Sequence, residues 1–179
     1  MARYRHDPSK DLVGFLVGEV MYAVRIGVVR EIVNPLPLVD LPRAPETVKG
    51  VADYRGEVVP VVDLRERFGL PAVPRSRKTK WIVLDVGLAG SKAEAGRRAA
   101  DTRAHHAALV VDSVSEVFGL AGGELRPAPP LGAGDETRGI EGVTTLGSRL
   151  VFVLDARAFG AVTQAVLGDG ECVASVEMA

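Results

Sequence analysis

Residues 50–65 and 142–157 align without a gap. The first segment reads Gly50-Val51-Ala52-Asp53-Tyr54-Arg55-Gly56-Glu57-Val58-Val59-Pro60-Val61-Val62-Asp63-Leu64-Arg65. The second reads Gly142-Val143-Thr144-Thr145-Leu146-Gly147-Ser148-Arg149-Leu150-Val151-Phe152-Val153-Leu154-Asp155-Ala156-Arg157. Each is a Gly-Val strand, a short turn holding a glycine, and an apolar run that ends in Asp. A weaker echo precedes each copy, in which 28–33 resembles 113–118. Long-period self-similarity constrains a fold more than any local propensity does. Here it predicts two similar small β units in tandem. It also sorts residues. Positions matched in both copies serve the fold, and positions that differ are free to serve something else.

Local composition agrees with β units. Valine dominates, aromatics are only 5% of the chain, and glycine and proline punctuate it throughout. Short β-branched runs broken in this way favour an all-β fold with minor helix. A formal net charge of −1 lacks the basic face that phosphate neutralisation needs, so no nucleic-acid partner is expected. No apolar run is long enough to span a membrane, and the polar N-terminus lacks a signal-peptide core. One cysteine, Cys172, leaves no internal disulfide. These features read as a cytoplasmic protein without direct membrane insertion.

Along the chain, residues 12–17 and 21–24 read as a hairpin around Gly18-Glu19. A helical turn is expected near residues 26–30, and the prolines at 35, 37, 42 and 45 impose an extended connection. A second helical turn is expected at 45–48, stopping at Gly50. Residues 80–86 and 107–111 read as paired strands around an inserted loop at 87–104, and 156–167 as a terminal helix. One domain over 12–160 follows, built of lobes at about 12–72 and 78–160, with strand exchange between them left open. Residues 1–11 and 168–179 are expected to be flexible termini.

A catalytic constellation is not evident. There is no Gly-x-Ser-x-Gly elbow and no phosphate loop, and Gly87-Leu88-Ala89-Gly90-Ser91-Lys92 lacks the required spacing. His105 and His106 are adjacent on a strand and so point to opposite faces, which argues against a metal site. Cys172 has no base near it in sequence. No catalytic residue, metal or cofactor is therefore expected. Asp63 and Asp155 hold the same place in both copies, each before a short helix, and are expected to be N-caps. Glu31 and Glu116 are likewise matched. Arg55 is unmatched, because the second copy has Gly147 there. The residues alone leave two readings of Arg55 open. It is either a solvated turn arginine or a guanidinium placed to fork onto carboxylates.

Residues 48–64 resemble the CheW family of chemotaxis adaptors at its Gly-Val-x-Asn-Leu-Arg-Gly-x-x-Val-Pro-Val-Val-Asp-Leu pattern. The likeness continues in Phe15-Leu16-Val17-Gly18-Glu19-Val20-Met21-Tyr22-Ala23-Val24, in Val29-Arg30-Glu31-Ile32-Val33, in Leu109-Val110-Val111-Asp112-Ser113-Val114-Ser115-Glu116-Val117, and in Ile140-Glu141-Gly142-Val143. The resemblance implies two tandem SH3-like five-stranded β-barrels with a C-terminal helix and no catalytic centre. It implies two partners, the cytoplasmic tip of a methyl-accepting chemoreceptor and the regulatory domain of a histidine kinase. Receptor arrays at the inner membrane are then the expected location. It carries the receptor side onto Glu31, Gly50 and Arg55, with a Glu31–Arg55 ion pair, and the kinase side onto the second barrel. Asp53-Tyr54 departs from the family's Asn-Leu. Tyr54 is therefore assigned to the receptor interface as a core or contact aromatic, and Asp53 as a competitor for Arg55. The competing reading from another class is a small-molecule sensor with a ligand between the barrels.

Overall fold

The computed structural model describes residues 10–87, 106–120, 125–128 and 139–167. The termini at 1–9 and 168–179, the insertion beyond Gly87, His105 and Cys172 lie outside the described residues. Ten strands are described: β1 (Leu12–Val17), β2 (Val20–Arg25), β3 (Val29–Val33), β4 (Val48–Tyr54), β5 (Glu57–Asp63), β6 (Lys80–Asp85), β7 (His106–Val111), β8 (Ser113–Phe118), β9 (Ile140–Leu146) and β10 (Arg149–Leu154). Two helices follow the repeated hairpins, α1 (Leu64–Arg67) and α2 (Arg157–Leu167).

The strands form two five-stranded sheets, ordered β8-β1-β2-β10-β9 and β3-β6-β7-β5-β4. The orders correspond strand for strand. Each sheet contains one parallel pair at the same place, β2 with β10 and β7 with β5. The repeat is thus a repeat of structure. Isolated bridges repeat as well, Val39 to Val51 in one sheet and Arg126 to Val143 in the other.

The sheets do not divide the chain at 72–78. The hairpin β1–β2 leaves its sequence neighbours and joins β8, β9 and β10, while β3 to β7 make the other sheet. The contiguous lobes expected from sequence give way to interleaved ones through this strand exchange. Two smaller expectations also change. Asp11, assigned to a loose arm, is buried, and its carbonyl accepts a bond from the Ile26 N–H at 2.9 Å. The turn at 45–48 closes with Val48 N–H on Pro45 carbonyl, but no helix follows, because β4 starts at Val48 and continues through Gly50.

The burial pattern explains the long apolar runs. In β5 the side chain of Val61 enters a cluster with Ala52, Tyr54, Val59, Trp81, Val83 and Ala108. Its neighbour Val62 enters a different cluster, with Phe15, Val24, Ile82, Leu109 and Phe159. Alternate residues point to opposite faces, so both faces of this sheet are covered. The second sheet repeats the arrangement, with Met21, Ala23, Val151 and Val153 on one side and Tyr22, Val24 and Leu154 on the other. Strands buried on both faces read as continuous hydrophobic runs. The central cluster draws on both sheets and both helices, so the two units share one core.

Both predicted caps form. Asp63 Oδ1 accepts the Arg65 N–H at 2.8 Å, and Asp155 Oδ1 accepts the Arg157 N–H at 2.9 Å. Each satisfies a backbone donor that has no partner inside the helix.

Candidate functional site

β3 and β4 are the two outer strands of their sheet, yet Glu31 on β3 touches Tyr54 on β4. The sheet therefore curls until its edges meet, and the contact lies on the seam of a barrel. Three residues make it. The Tyr54 hydroxyl donates to Glu31 Oε2 at 2.6 Å. Arg55 Nη2 lies 2.7 Å from the same oxygen. The Arg55 guanidinium also stands 5.6 Å from the centroid of the Tyr54 ring, within cation–π range.

The hairpin sets this geometry. Arg55 and Gly56 are the two central residues of the β4–β5 turn, with φ of 56° and 84°. Positive φ at both positions is the pattern of a type I′ turn, which matches the twist of the flanking strands and favours Asn or Gly first. Arginine in a left-handed conformation is strained by about 1–2 kcal/mol. At the matching turn Gly147 has φ 59° and carries no such strain. The second copy therefore shows what the fold asks for, and Arg55 is kept against that preference. Backbone strain of this kind collects where a side chain must be placed for function.

Electrostatics follow from the contacts. The Tyr54 hydrogen bond holds the Glu31 carboxyl below its ordinary range. Desolvation opposes this, and the charges of Arg55 and Arg30 add to it. Burial pushes the Tyr54 phenol up, and the bond to Glu31 and its charge push the same way. Beside the site, His106 Nδ1 lies 2.7 Å from Glu57 Oε2, and the His106 ring meets Tyr54 edge-on at 6.3 Å. Among the described residues no cluster could hold a metal ion. The His106–Glu57 contact pairs residues 49 positions apart, and no local pattern announces it.

The residues assigned from sequence divide into four roles. Glu31 and Arg55 come together as an ion pair, with side chains 35% and 72% exposed. Tyr54 is 6% exposed, so its ring packs in the barrel and presents no contact surface of its own. It acts on the site through its hydroxyl. Gly50 sits apart from the pair. Its φ is 141°, and a Cβ there would stand 2.3 Å from the Val39 carbonyl oxygen. Gly142 is in the same position, with a Cβ falling 2.6 Å from the Arg126 carbonyl oxygen. These two glycines admit the bridging segments of their barrels, so Gly50 belongs to the fold. Asp53 does not compete for Arg55. Its Oδ1 accepts the Gly56 N–H at 2.7 Å and ties the turn.

Exposed apolar residues flank the site. Ile32 follows Glu31 and Val58 follows Glu57, at 39% and 50% exposed. Their counterparts Val117 and Leu150 are also exposed. The apolar rim is thus common to both barrels. In the second barrel Glu116 makes no side-chain hydrogen bond or ion pair among the described residues, and Leu146 and Gly147 stand where Tyr54 and Arg55 would be. At the junction between the sheets, Asp112 accepts from the Gly18 N–H at 2.6 Å and from Arg65 Nε at 2.9 Å.

The family model described as "CheW-like domain" matches residues 11–162. The chain belongs to the CheW-like family. It is 30% identical over 147 residues to "Chemotaxis protein CheW" of Klebsiella aerogenes, covering 82% of this chain and 79% of that protein. It is 27% identical over 154 residues to "Chemotaxis protein CheW" of Rhizobium meliloti, covering 86% and 89%. Among solved structures it matches the scaffolding protein TtCheW from Thermoanaerobacter tengcongensis with a TM-score of 0.66 and 26% identity, covering 82% of this CheW-like chain and 88% of that one. The all-β architecture of two five-stranded units with minor helix agrees with this neighbour. No described helix is long and apolar enough to cross a membrane.

Proposed function

We infer that this CheW-like chain is a non-enzymatic adaptor that couples chemoreceptors to a histidine kinase through two protein interfaces. The receptor tip docks at the seam of the first barrel, on Arg55 and Glu31. The kinase regulatory domain docks on the second barrel. The observation that carries the receptor side is the strained Arg55, paired with Glu31 and largely exposed, on a turn whose counterpart is a glycine. Ile32 and Val58 supply apolar area beside it, the usual anatomy of an interface with a few anchors. The second barrel offers the same apolar rim, Val117 and Leu150, without the charged pair. Two rims of different chemistry suit two different partners.

A ligand between the barrels finds less support. The shared core is closed by packed side chains. A depression lined by Lys49, Asp63, Arg65, Val73, Arg75 and Asp112 mixes charged and apolar side chains, whereas a small-molecule site is usually mostly apolar.

The test is titration of the purified protein with a soluble chemoreceptor-tip fragment and, separately, with a kinase regulatory domain from the same cell. Wild type binds both, and Arg55→Ala weakens the tip alone, with folding checked by circular dichroism. A well-folded wild type that binds neither contradicts the adaptor reading.

A further inference from the structure

Both protein donors on Glu31 go to one oxygen. Tyr54 Oη and Arg55 Nη2 lie 2.6 and 2.7 Å from Oε2, and Oε1 has no partner among the described residues. The same is true of Arg55 Nε and Nη1. An arginine on a turn is a long, freely rotating side chain, and a surface ion pair alone holds it weakly. Here two further contacts act on it, the face of the Tyr54 ring and a Glu31 carboxylate that Tyr54 itself fixes. Tyr54 is anchored in turn, because its ring is buried among Ala52, Val59, Trp81 and Val83. Rigidity therefore passes outward from the barrel core, through a phenol, to a carboxylate and a guanidinium. The counterpart position in the other barrel is Leu146, which packs but donates nothing.

We propose that Tyr54 is a positioning residue, whose hydroxyl locks the Glu31 carboxylate across the barrel seam and so fixes the Arg55 guanidinium in the orientation that meets the partner. The group it presents to is an acceptor on the partner, a carboxylate or amide oxygen that takes the unused N–H groups of the fork. Ordering Arg55 before the encounter removes an entropic cost from binding. This deepens the receptor-side reading above and rests on it.

The experiment has a part that needs no partner. The Glu31 carboxyl is followed by carbon NMR against pH in wild type and in Tyr54→Phe, which keeps the ring and removes only the oxygen. The titration midpoint rises toward the ordinary glutamate range in Tyr54→Phe. An unchanged midpoint overturns the lock. The second part titrates the receptor-tip fragment into wild type, Tyr54→Phe, Arg55→Ala and the double variant. Tyr54→Phe weakens tip binding about tenfold, the worth of one hydrogen bond to a charged group. It leaves kinase-domain binding unchanged, and in the Arg55→Ala background it has no further effect. Equal weakening with and without Arg55, or no weakening, contradicts positioning through Arg55. If wild type binds no tip, the receptor reading fails on its own, and the Glu31 titration still decides the lock.

Discussion

The hairpins β4–β5 and β9–β10 are one design built twice, and two of the side chains in which they differ, at positions 54 and 55, meet a glutamate in the first barrel. Both begin beside a glycine that a neighbouring carbonyl crowds, both turn in two residues, and both end in a capping Asp. Glu31 on β3 and the matched Glu116 on β8 each lie on an outer strand of their sheet. In the first barrel a tyrosine and an arginine close on that glutamate. In the second the matching residues are Leu146 and Gly147. The comparison separates what a CheW-like barrel requires from what has been added to one of its two copies. Gly50 and Asp63 belong to the frame. Tyr54 and Arg55 are the addition.

The largest effect tests the frame. Gly50→Ala and Gly142→Ala each drive a Cβ into a backbone carbonyl, and each is expected to cost about 3 kcal/mol in urea unfolding. A tolerated Gly142→Ala beside a damaging Gly50→Ala breaks the equivalence of the hairpins.

The caps come next. Asp63→Ala and Asp155→Ala each lose about 1 kcal/mol at neutral pH, and the two losses are similar. Asp155 adds a pH signature. Burial pushes its carboxyl up, but the Arg157 bonds and charge outweigh this and hold it below the ordinary range. Its contribution is full above the unfolded carboxylate value and fades as the pH falls through the folded one. The gap between wild type and Asp155→Ala therefore narrows in acid. A gap that widens contradicts the assignment.

The smallest effect on stability is the most diagnostic. Arg55→Gly relieves a left-handed arginine and gives up an exposed ion pair and the contact with the Tyr54 ring, so the protein stays within about 1 kcal/mol of wild type, on the stable side. Gly147→Arg puts an arginine at positive φ in the other barrel and loses about 1 kcal/mol or more by thermal or urea unfolding. Opposite signs sharpen the comparison. A strongly destabilised Arg55→Gly makes Arg55 a structural residue.

Much of the frame was legible in the sequence because it is local. Turn glycines, apolar runs and capping aspartates lie within a few residues of what they act on, and the gapless repeat displayed them twice. The Glu31–Arg55 pair was reached through family resemblance. Strand exchange was not legible, since β1–β2 and β6–β7 are both apolar hairpins and neither pattern names the sheet it joins. The role of Tyr54 was hidden for a related reason. A tyrosine before a turn reads as core or contact, and only closure of the sheet brings its hydroxyl to a glutamate 23 residues away. His106 and Glu57 meet by the same long-range closure.

The most direct test of the central claim is tip binding by Arg55→Gly, which gives this turn the glycine its counterpart already has. The account predicts a protein at least as stable as wild type that still binds the kinase regulatory domain and loses about tenfold or more in affinity for the chemoreceptor tip. Wild-type affinity for the tip in that variant would show that the strained arginine is not what the receptor side recognises.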